Sequence, residues 1–337
     1  MQGLDRAEDP FVRLGIGDDA ALCRPRAGWE LAVTTDLLVE GRHFRFGTAS
    51  PEDVGWKTAA SNLSDLAAMG ADPVAFFLGA AFPPDRGPRF QRLMAGLAAC
   101  LKAFGAPLAG GDLSAAGRFC LCGTAIGEVP AGSALRRDGA RPGDVIAVSG
   151  CPGLSGAGLR LLRAGWRLRG GKARTTGAAD TVPEPVAADP TAVHHCLAAH
   201  LRPVPRLSLG RYLREDGGVS AAMDLSDGIA ADLPRIGRRS GVAARLDAGS
   251  LDALVRRNPC LTLADVLGGG EDYELLFTAP PACWERLILT AACRPGLPPL
   301  TAVGTVVKGT PGEVLLREGR RTHPLPVAGF DHFRPAR

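Results

Sequence analysis

The sequence lacks the features that mark several protein classes. Its nine cysteines include no C-x-x-C pair and their number is odd, so neither a disulfide framework nor a zinc ribbon is suggested by spacing. The closest two, Cys120 and Cys122, would share one face of a strand, where a buried pair of small apolar side chains is expected; the alternative is a zinc or redox site. No apolar run reaches the length of a membrane span, because the longest, residues 66–82, is broken by Asp72 and Pro73. The opening residues MQGLDRAEDP are polar and acidic, without the apolar region of a secretory signal. Excess charge is scarce too: 39 Lys+Arg against 35 Asp+Glu leave +4, little footing for nucleic acid or a membrane surface. These absences together predict a cytoplasmic protein with reduced thiols.

Common nucleotide signatures are missing as well. There is no G-x-x-x-x-G-K-[ST] loop and no H-R-D or D-F-G set of the protein kinases. The Gly-rich stretch Gly150–Gly158 follows an apolar segment and could open a helix, but it lacks G-x-G-x-x-G spacing.

What is present is a chain of 337 residues, 46% apolar, enough for roughly two domains of about 150 residues. The 44 glycines follow no G-X-Y period. Strand-like and helix-like segments alternate in both halves, which predicts an α/β (α+β) pair of domains. Expected strands are 31–35, ending at Asp36, then 74–82, 119–129, 145–150, 219–224, 273–279 and 301–307, with a hairpin around Glu318-Gly319. Expected helices cover 52–69, the stretch from Phe90 to a stop at Gly105, 227–239 and 282–292. The turn-rich ALRRDGARPGD predicts a junction, giving domains 1–138 and 139–337. Residues 166–190 have no useful period and are expected as a flexible surface insertion, with Arg167, Arg169, Lys172 and Arg174 solvated.

The acids carry the functional signal. Asp19, Asp36, Asp65, Asp112 and the pair Asp224 and Asp227 form five clusters at ends of apolar segments beside Gly, Ser or Thr, and Gly268–Glu274 adds a sixth. Taken singly, each could cap a helix or start a turn; Asp227 has the place of an N-cap, and Asp65, mid-helix, could face solvent. Their recurrence points further. Asp65 has no basic neighbour in AASNLSDLAAMG, and Asp112 follows two glycines. Carboxylates with hydroxyls, and no His or Cys cluster, suit hard cations, so the pattern suggests several Mg²⁺ ions holding a polyphosphate.

In series, GIGDDAAL (15–22), TTDLLVEGRHF (34–44), NLSDLAAMGADP (62–73), GGD (110–112), DLSDGIAADL (224–233) and GGGEDYELLFT (268–278) resemble the thiamine-monophosphate kinase family of the AIR synthetase-like ATP-binding superfamily. The resemblance covers about residues 14–333. It implies a two-domain AIR synthetase-like fold. The N-terminal domain would form a β-barrel across a homodimer, and a C-terminal α/β domain would complete the nucleotide cleft. It implies Mg²⁺ at Asp19, Thr34, Thr35, Asp36, Asp65, Asp112, Asp224 and Asp227. It implies ATP contacts at Gly111, Asp112, Arg137 and Ser226, and thiamine monophosphate contacts at His43, Glu271 and Phe330.

The residues leave alternatives beside these roles: Arg136 in place of Arg137, Phe330 as a core anchor, Glu271 as a turn acid. The implied reaction is direct phosphoryl transfer to an acceptor that is already ionised, so no catalytic base is expected. Rival readings are another ATP-dependent enzyme of the superfamily or a non-catalytic nucleotide-binding or thiamine-phosphate-binding protein. The selenophosphate enzyme's N-terminal Cys in a Gly-rich loop and the hydrogenase-maturation protein's C-terminal Cys both lack counterparts here.

Overall fold

The computed structural model describes residues 11–17, 20–175, 189–216 and 218–325. The chain divides into two compact units. The first takes the residues up to Ala134 together with Leu201–Arg211, and the second takes Leu135–His200 and the residues from Tyr212 on.

In the first unit a short antiparallel pair, β1 (Val12–Leu14) and β2 (Leu22–Cys23), precedes β3 (Trp29–Val39), α1 (Pro51–Ala68), β4 (Asp72–Phe82), α2 (Gly87–Phe104), β5 (Leu108–Ala115) and β6 (Cys120–Pro130). The main sheet has the order β3-β6-β4-β5, antiparallel except for the parallel β4–β5 edge. Among the described residues this four-stranded sheet is open and closes no barrel. Helix α1 starts where the sequence signals it: Ser50 and Asp53 form a capping box ahead of Pro51, a device worth about 1 kcal/mol. Helices α1 and α2 approach through reciprocal glycines. A Cβ on Gly55 would lie 1.9 Å from Leu93 O, and one on Gly96 would lie 1.9 Å from Glu52 O. Leu63, Leu66, Leu93, Leu97 and Leu101 fill the layer between these helices and the sheet.

β3 continues three residues beyond the expected end at Asp36. Asp36 faces inward in the alternation and stays in register opposite Gly123, so the β6 ladder carries the strand on to Val39. The other face of β3 is apolar and bare, with Leu31, Val33 and Leu37 45%, 63% and 52% exposed. Cys120 and Cys122 belong to that face. They are half-buried rather than buried, because no helix among the described residues covers this side of β6, and their thiols are free. The segment Leu201–Arg211 is fastened to α1 and β4 by Arg202–Asp53, Trp56 Nε1–Pro203 O and Arg211–Asp72 contacts.

The second unit contains β7 (Val145–Ser149), α3 (Leu154–Arg163), β8 (Trp166–Arg169), β9 (Lys172–Thr175), α4 (Pro190–Leu201), α5 (Leu207–Asp216, from Tyr212 on), β10 (Ala221–Asp224), α6 (Ile229–Ser240), β11 (Ala243–Asp247), α7 (Ala248–Val255), α8 (Leu263–Gly268), β12 (Leu275–Ala279), α9 (Pro281–Ala292), β13 (Leu300–Val307), β14 (Val314–Glu318) and β15 (Arg321–Pro324). Its sheet runs β10-β12-β7-β13-β11-β14-β15, antiparallel except for β11–β14. The core between sheet and helices includes Ile146, Val148, Leu233, Ile236, Leu246 and Leu276.

Part of the stretch expected to be structureless forms the β8–β9 hairpin. Gly170 and Gly171, both at positive φ, make the two-residue turn, and Trp166 is buried at its base. Residues 176–188 lie outside the described residues. No helix among the described residues is long and apolar enough to cross a membrane.

Candidate functional site

Most of the first unit's candidates stand on regular elements. Thr34 and Asp36 point from β3 toward α1, and α1 turns Asp65 and Ser61 back at them. The Thr34 hydroxyl donates to Asp65 Oδ2 at 2.5 Å. Asp36 accepts from Ser61, and burial pushes its carboxyl above the ordinary range, against that hydrogen bond and the field of His43. His43 follows the end of β3, where its Nδ1 accepts the Val39 amide at 2.9 Å. The ring proton is thereby assigned to Nε2. Asn62, wholly buried between Ser61 and Asp65 in sequence, leaves its Oδ1 without a hydrogen bond among the described residues.

Thr35 and Asp112 lie on the opposite face of the sheet. Thr35 donates to Gly123 O at 2.8 Å, and Asp112 stands opposite Gly79 on the edge strand β5. Gly111 beside it has no room for a side chain, since a Cβ would lie 2.1 Å from Leu78 O. Gly110, Gly111 and Asp112 line a cavity of about 220 Å³ whose wall includes Gly15, Gly17, Phe77, Phe90 and Met94. Asp19 lies outside the described residues.

In the second unit the candidates sit on two loops joined to each other. Asp224 ends β10 and is buried, and Ser226 and Asp227 follow it. Asp227 does not cap α6. Gly228 takes the N-cap position at φ 94, while the Asp227 carboxylate pairs with Arg235, eight residues further along the chain. The loop is held instead by Asp232, whose Oδ2 accepts the amides of Ser226 and Asp227 at 3.0 and 2.9 Å. Its Oδ1 lies 3.0 Å from Arg235 Nη1. Burial pushes the Asp232 carboxyl up to about 6, against those amides and the arginine.

The loop leading to β12 carries Glu271 and is stitched to the first: Glu271 N donates to Ser226 O, Tyr273 N to Leu225 O, and Leu225 N to Glu274 O, at 2.8 to 2.9 Å. Glu271 and Tyr273 are the only non-glycine residues at positive φ among those described, at 63° and 53°. Such a conformation costs roughly 1–2 kcal/mol for an L-residue. Strain of this kind gathers at working sites. Between them, Asp272 accepts the amides of Gly153 and Ser155 at 2.7 and 2.9 Å. The start of α3 in the Gly-rich stretch is thus occupied by the protein's own Asp272 carboxyl group rather than left open for a ligand.

Arg137 is exposed, with its carbonyl accepting the Ser240 hydroxyl, whereas Arg136 is paired with Asp138. Phe330 lies outside the described residues. The structure therefore brings Thr34 to Asp65 and Asp36 to Ser61, and joins the 224–228 loop to the 270–274 loop. It sets Thr35 and Asp112 on the other face of the first unit's sheet. Among the described residues, no three His, Cys, Asp or Glu side chains converge as a metal cluster. Sequence reasoning missed Asp232, Arg235 and Asp272. The spacing D-x-x-x-x-D-x-x-R from Asp227 to Arg235 was the available signal for the first two; Asp272 lies in the Gly268–Glu274 acidic cluster, but its amide partners are more than a hundred residues away and could not be read from it.

Comparison with known proteins fits this geometry. The family model described as AIR synthase related protein, N-terminal domain, matches residues 17–129, and the one for the C-terminal domain matches 141–317. The thiamine-monophosphate kinase of Salmonella typhimurium is 38% identical over 96% of this chain and 92% of that protein. The crystal structure of thiamine-monophosphate kinase from Stenotrophomonas maltophilia K279a superposes with a TM-score of 0.75 at 38% identity, covering 92% of each chain. A structure described as AaThiL complexed with AMPPCP and TMP superposes with a TM-score of 0.71 at 28% identity, covering 92% of this chain and 89% of that one. With similarity of this extent running through both domains, the chain belongs to the thiamine-monophosphate kinase family.

Proposed function

We propose that this chain transfers the γ-phosphoryl group of ATP to thiamine monophosphate, giving thiamine diphosphate and ADP. The observation that carries this reading is the similarity to thiamine-monophosphate kinases over nearly the full length of both chains. The relative bound to AMPPCP and TMP supports the two substrates.

The acceptor oxygen belongs to a phosphate that is largely ionised near pH 7, so no side chain has to remove a proton from it. The work of the protein is positioning and charge compensation. Asp19, Thr34, Thr35, Asp36, Asp65 and Asp112 of the first unit, with Asp224 and Asp227 of the second, are the proposed magnesium ligands. Their donors are all oxygen, which fits a hard cation, and the unpartnered Asn62 Oδ1 beside Asp65 in α1 is a further oxygen of that kind. Bound magnesium supplies screening between donor and acceptor phosphates.

Gly111, Asp112, Arg137 and Ser226 are the proposed ATP contacts; the close approach at Gly111 presents main chain rather than side chain there. His43, Glu271 and Phe330 are the proposed contacts to thiamine monophosphate. The half-exposed Glu271 carboxylate suits a cationic thiazolium.

We also propose a homodimer, supported by the bare apolar side of β3, with the first unit's sheet completing a barrel across it. A sedimentation mass of two chains is expected. A cytoplasmic location accords with the free thiols.

The deciding measurement is formation of thiamine diphosphate from ATP, Mg²⁺ and thiamine monophosphate. Product dependent on all three is expected. Tight binding of both substrates with no product above background would replace the kinase by a binding protein.

A further inference from the structure

The Gly-rich stretch that opens α3 has a use other than ligand binding. A Cβ on Gly158 would lie 2.1 Å from Cys196 O and 2.9 Å from His200 Cβ, so α3 and α4 touch main chain to main chain at that point. A Cβ on Gly156 would lie 2.8 Å from Gly269 Cα, so α3 also meets the loop that carries Glu271 without an intervening side chain. These two close approaches bring three side chains together from three separate elements. Ser155 on the first turn of α3 is wholly buried, His200 near the end of α4 is 7% exposed, and Glu271 follows α8. His200 Nδ1 lies 3.0 Å from Ser155 Oγ and 3.6 Å from Glu271 Oε2. The first is a hydrogen bond. The second is longer than one and acts as an electrostatic contact.

Glu271 is held at φ 63 while its amide donates to Ser226 O, so its main chain is fixed and strained while its side chain stays partly open. A carboxylate in that position needs a partner to select one rotamer, and the imidazole supplies it from the buried side.

We propose that His200, steadied by Ser155, is a positioning residue for the acceptor substrate. It fixes the Glu271 carboxylate with Oε2 turned to the imidazole and the other oxygen left for the cationic ring. The inference rests on the reading above in which Glu271 contacts thiamine monophosphate. It gives Gly156 and Gly158 their purpose, because either close approach would be lost with a larger residue.

The test compares wild type with His200→Ala, His200→Asn and His200→Gln, recording kcat, the KM for each substrate and the melting temperature. Asn carries its amide nitrogen near the place of Nδ1, and Gln carries it near Nε2. His200→Ala is expected to raise the KM for thiamine monophosphate about tenfold, on the scale of a misplaced contact, with the KM for ATP little changed. His200→Asn is expected to restore most of that loss and His200→Gln little of it.

Equal rises in both KM values, equal rescue by Asn and Gln, or an unchanged KM in a folded His200→Ala protein would each overturn the proposal. If His200→Ala does not fold, Ser155→Ala, which removes only the hydroxyl, carries the test: a rise confined to thiamine monophosphate supports it, and no change overturns it. Wild-type turnover separates the two readings. No product there sinks the kinase assignment itself, whereas normal turnover with an unmoved KM in the variants sinks the role of His200 alone.

Discussion

The two units hold their candidate residues by different means. In the first, Thr34, Asp36, Asp65 and Asp112 ride on strands and a helix whose hydrogen bonds belong to the elements themselves. In the second, Ser226, Asp227 and Glu271 ride on two loops kept in shape by cross-loop amide bonds, a buried Asp232, and two non-glycine residues at positive φ. Regular elements give fixed positions at little local cost. Loops give freedom of direction, and the protein offsets their strain with long-range contacts. The first unit should therefore lose function by loss of a charge, and the second by loss of shape.

The largest expected effect falls on the first unit. Asp65→Asn keeps the size of the side chain and the α1 helix but removes one negative charge beside Thr34. A turnover at least about 10²-fold lower is expected, the scale of losing one electrostatic group, with an unchanged melting temperature. Wild-type turnover in this variant would remove Asp65 from the proposed metal ligands. A large loss of stability instead would make the Thr34–Asp65 contact structural and weaken the contrast between the units.

That contrast also explains what was legible in the sequence. Elements set by local pattern were readable: the helix expected over 52–69 is α1 at Pro51–Ala68, and Gly105 ended α2 as expected. The motif order led to the family. The reading of 31–35 found β3 but not its end, because an inward aspartate looks like a strand terminus until its register opposite Gly123 is known. The hairpin at Trp166–Thr175 was hidden by composition, although its Gly-Gly turn was in view. What remained illegible depends on residues far apart in the chain: Ser155 and His200 are 45 positions apart, and Asp272 and Gly153 are 119 apart. Asp227 looked like a helix cap for the same reason, since only the folded loop shows Gly228 at the N-cap and Asp232 holding the Ser226 and Asp227 amides.

A smaller effect tests the strain in the second unit. Glu271→Ala and Glu271→Gly both remove the carboxylate, and both are expected to weaken thiamine monophosphate binding. Only the glycine variant relieves the positive φ. Part of that gain is offset by the greater freedom of glycine in the unfolded chain. Glu271→Gly is still expected to be more stable than Glu271→Ala, by up to about 1 kcal/mol. Equal stability of the two would mean that the loop carries no strain at this residue, and the second unit would then resemble the first.

A pH-dependent effect concerns the contact that ties the Glu271 loop to α3. Asp272 accepts two main-chain amides, which favour its charged form, yet burial outweighs them and pushes its carboxyl up to about 8, although the residue keeps some access to solvent. The folded protein thus holds a proton that the unfolded chain releases near the ordinary aspartate value of about 3.9. Stability from this group is complete below that ordinary value and is lost as pH rises through the folded value. Asp272→Asn has nothing to titrate there. The melting temperature of wild type minus that of the variant should therefore fall between about pH 5 and about pH 8.5, by a few degrees for a chain of this size. A difference that rises with pH would mean that the two amides outweigh burial, making Asp272 a charged cap on α3 and the loop a helix-anchored element like those of the first unit.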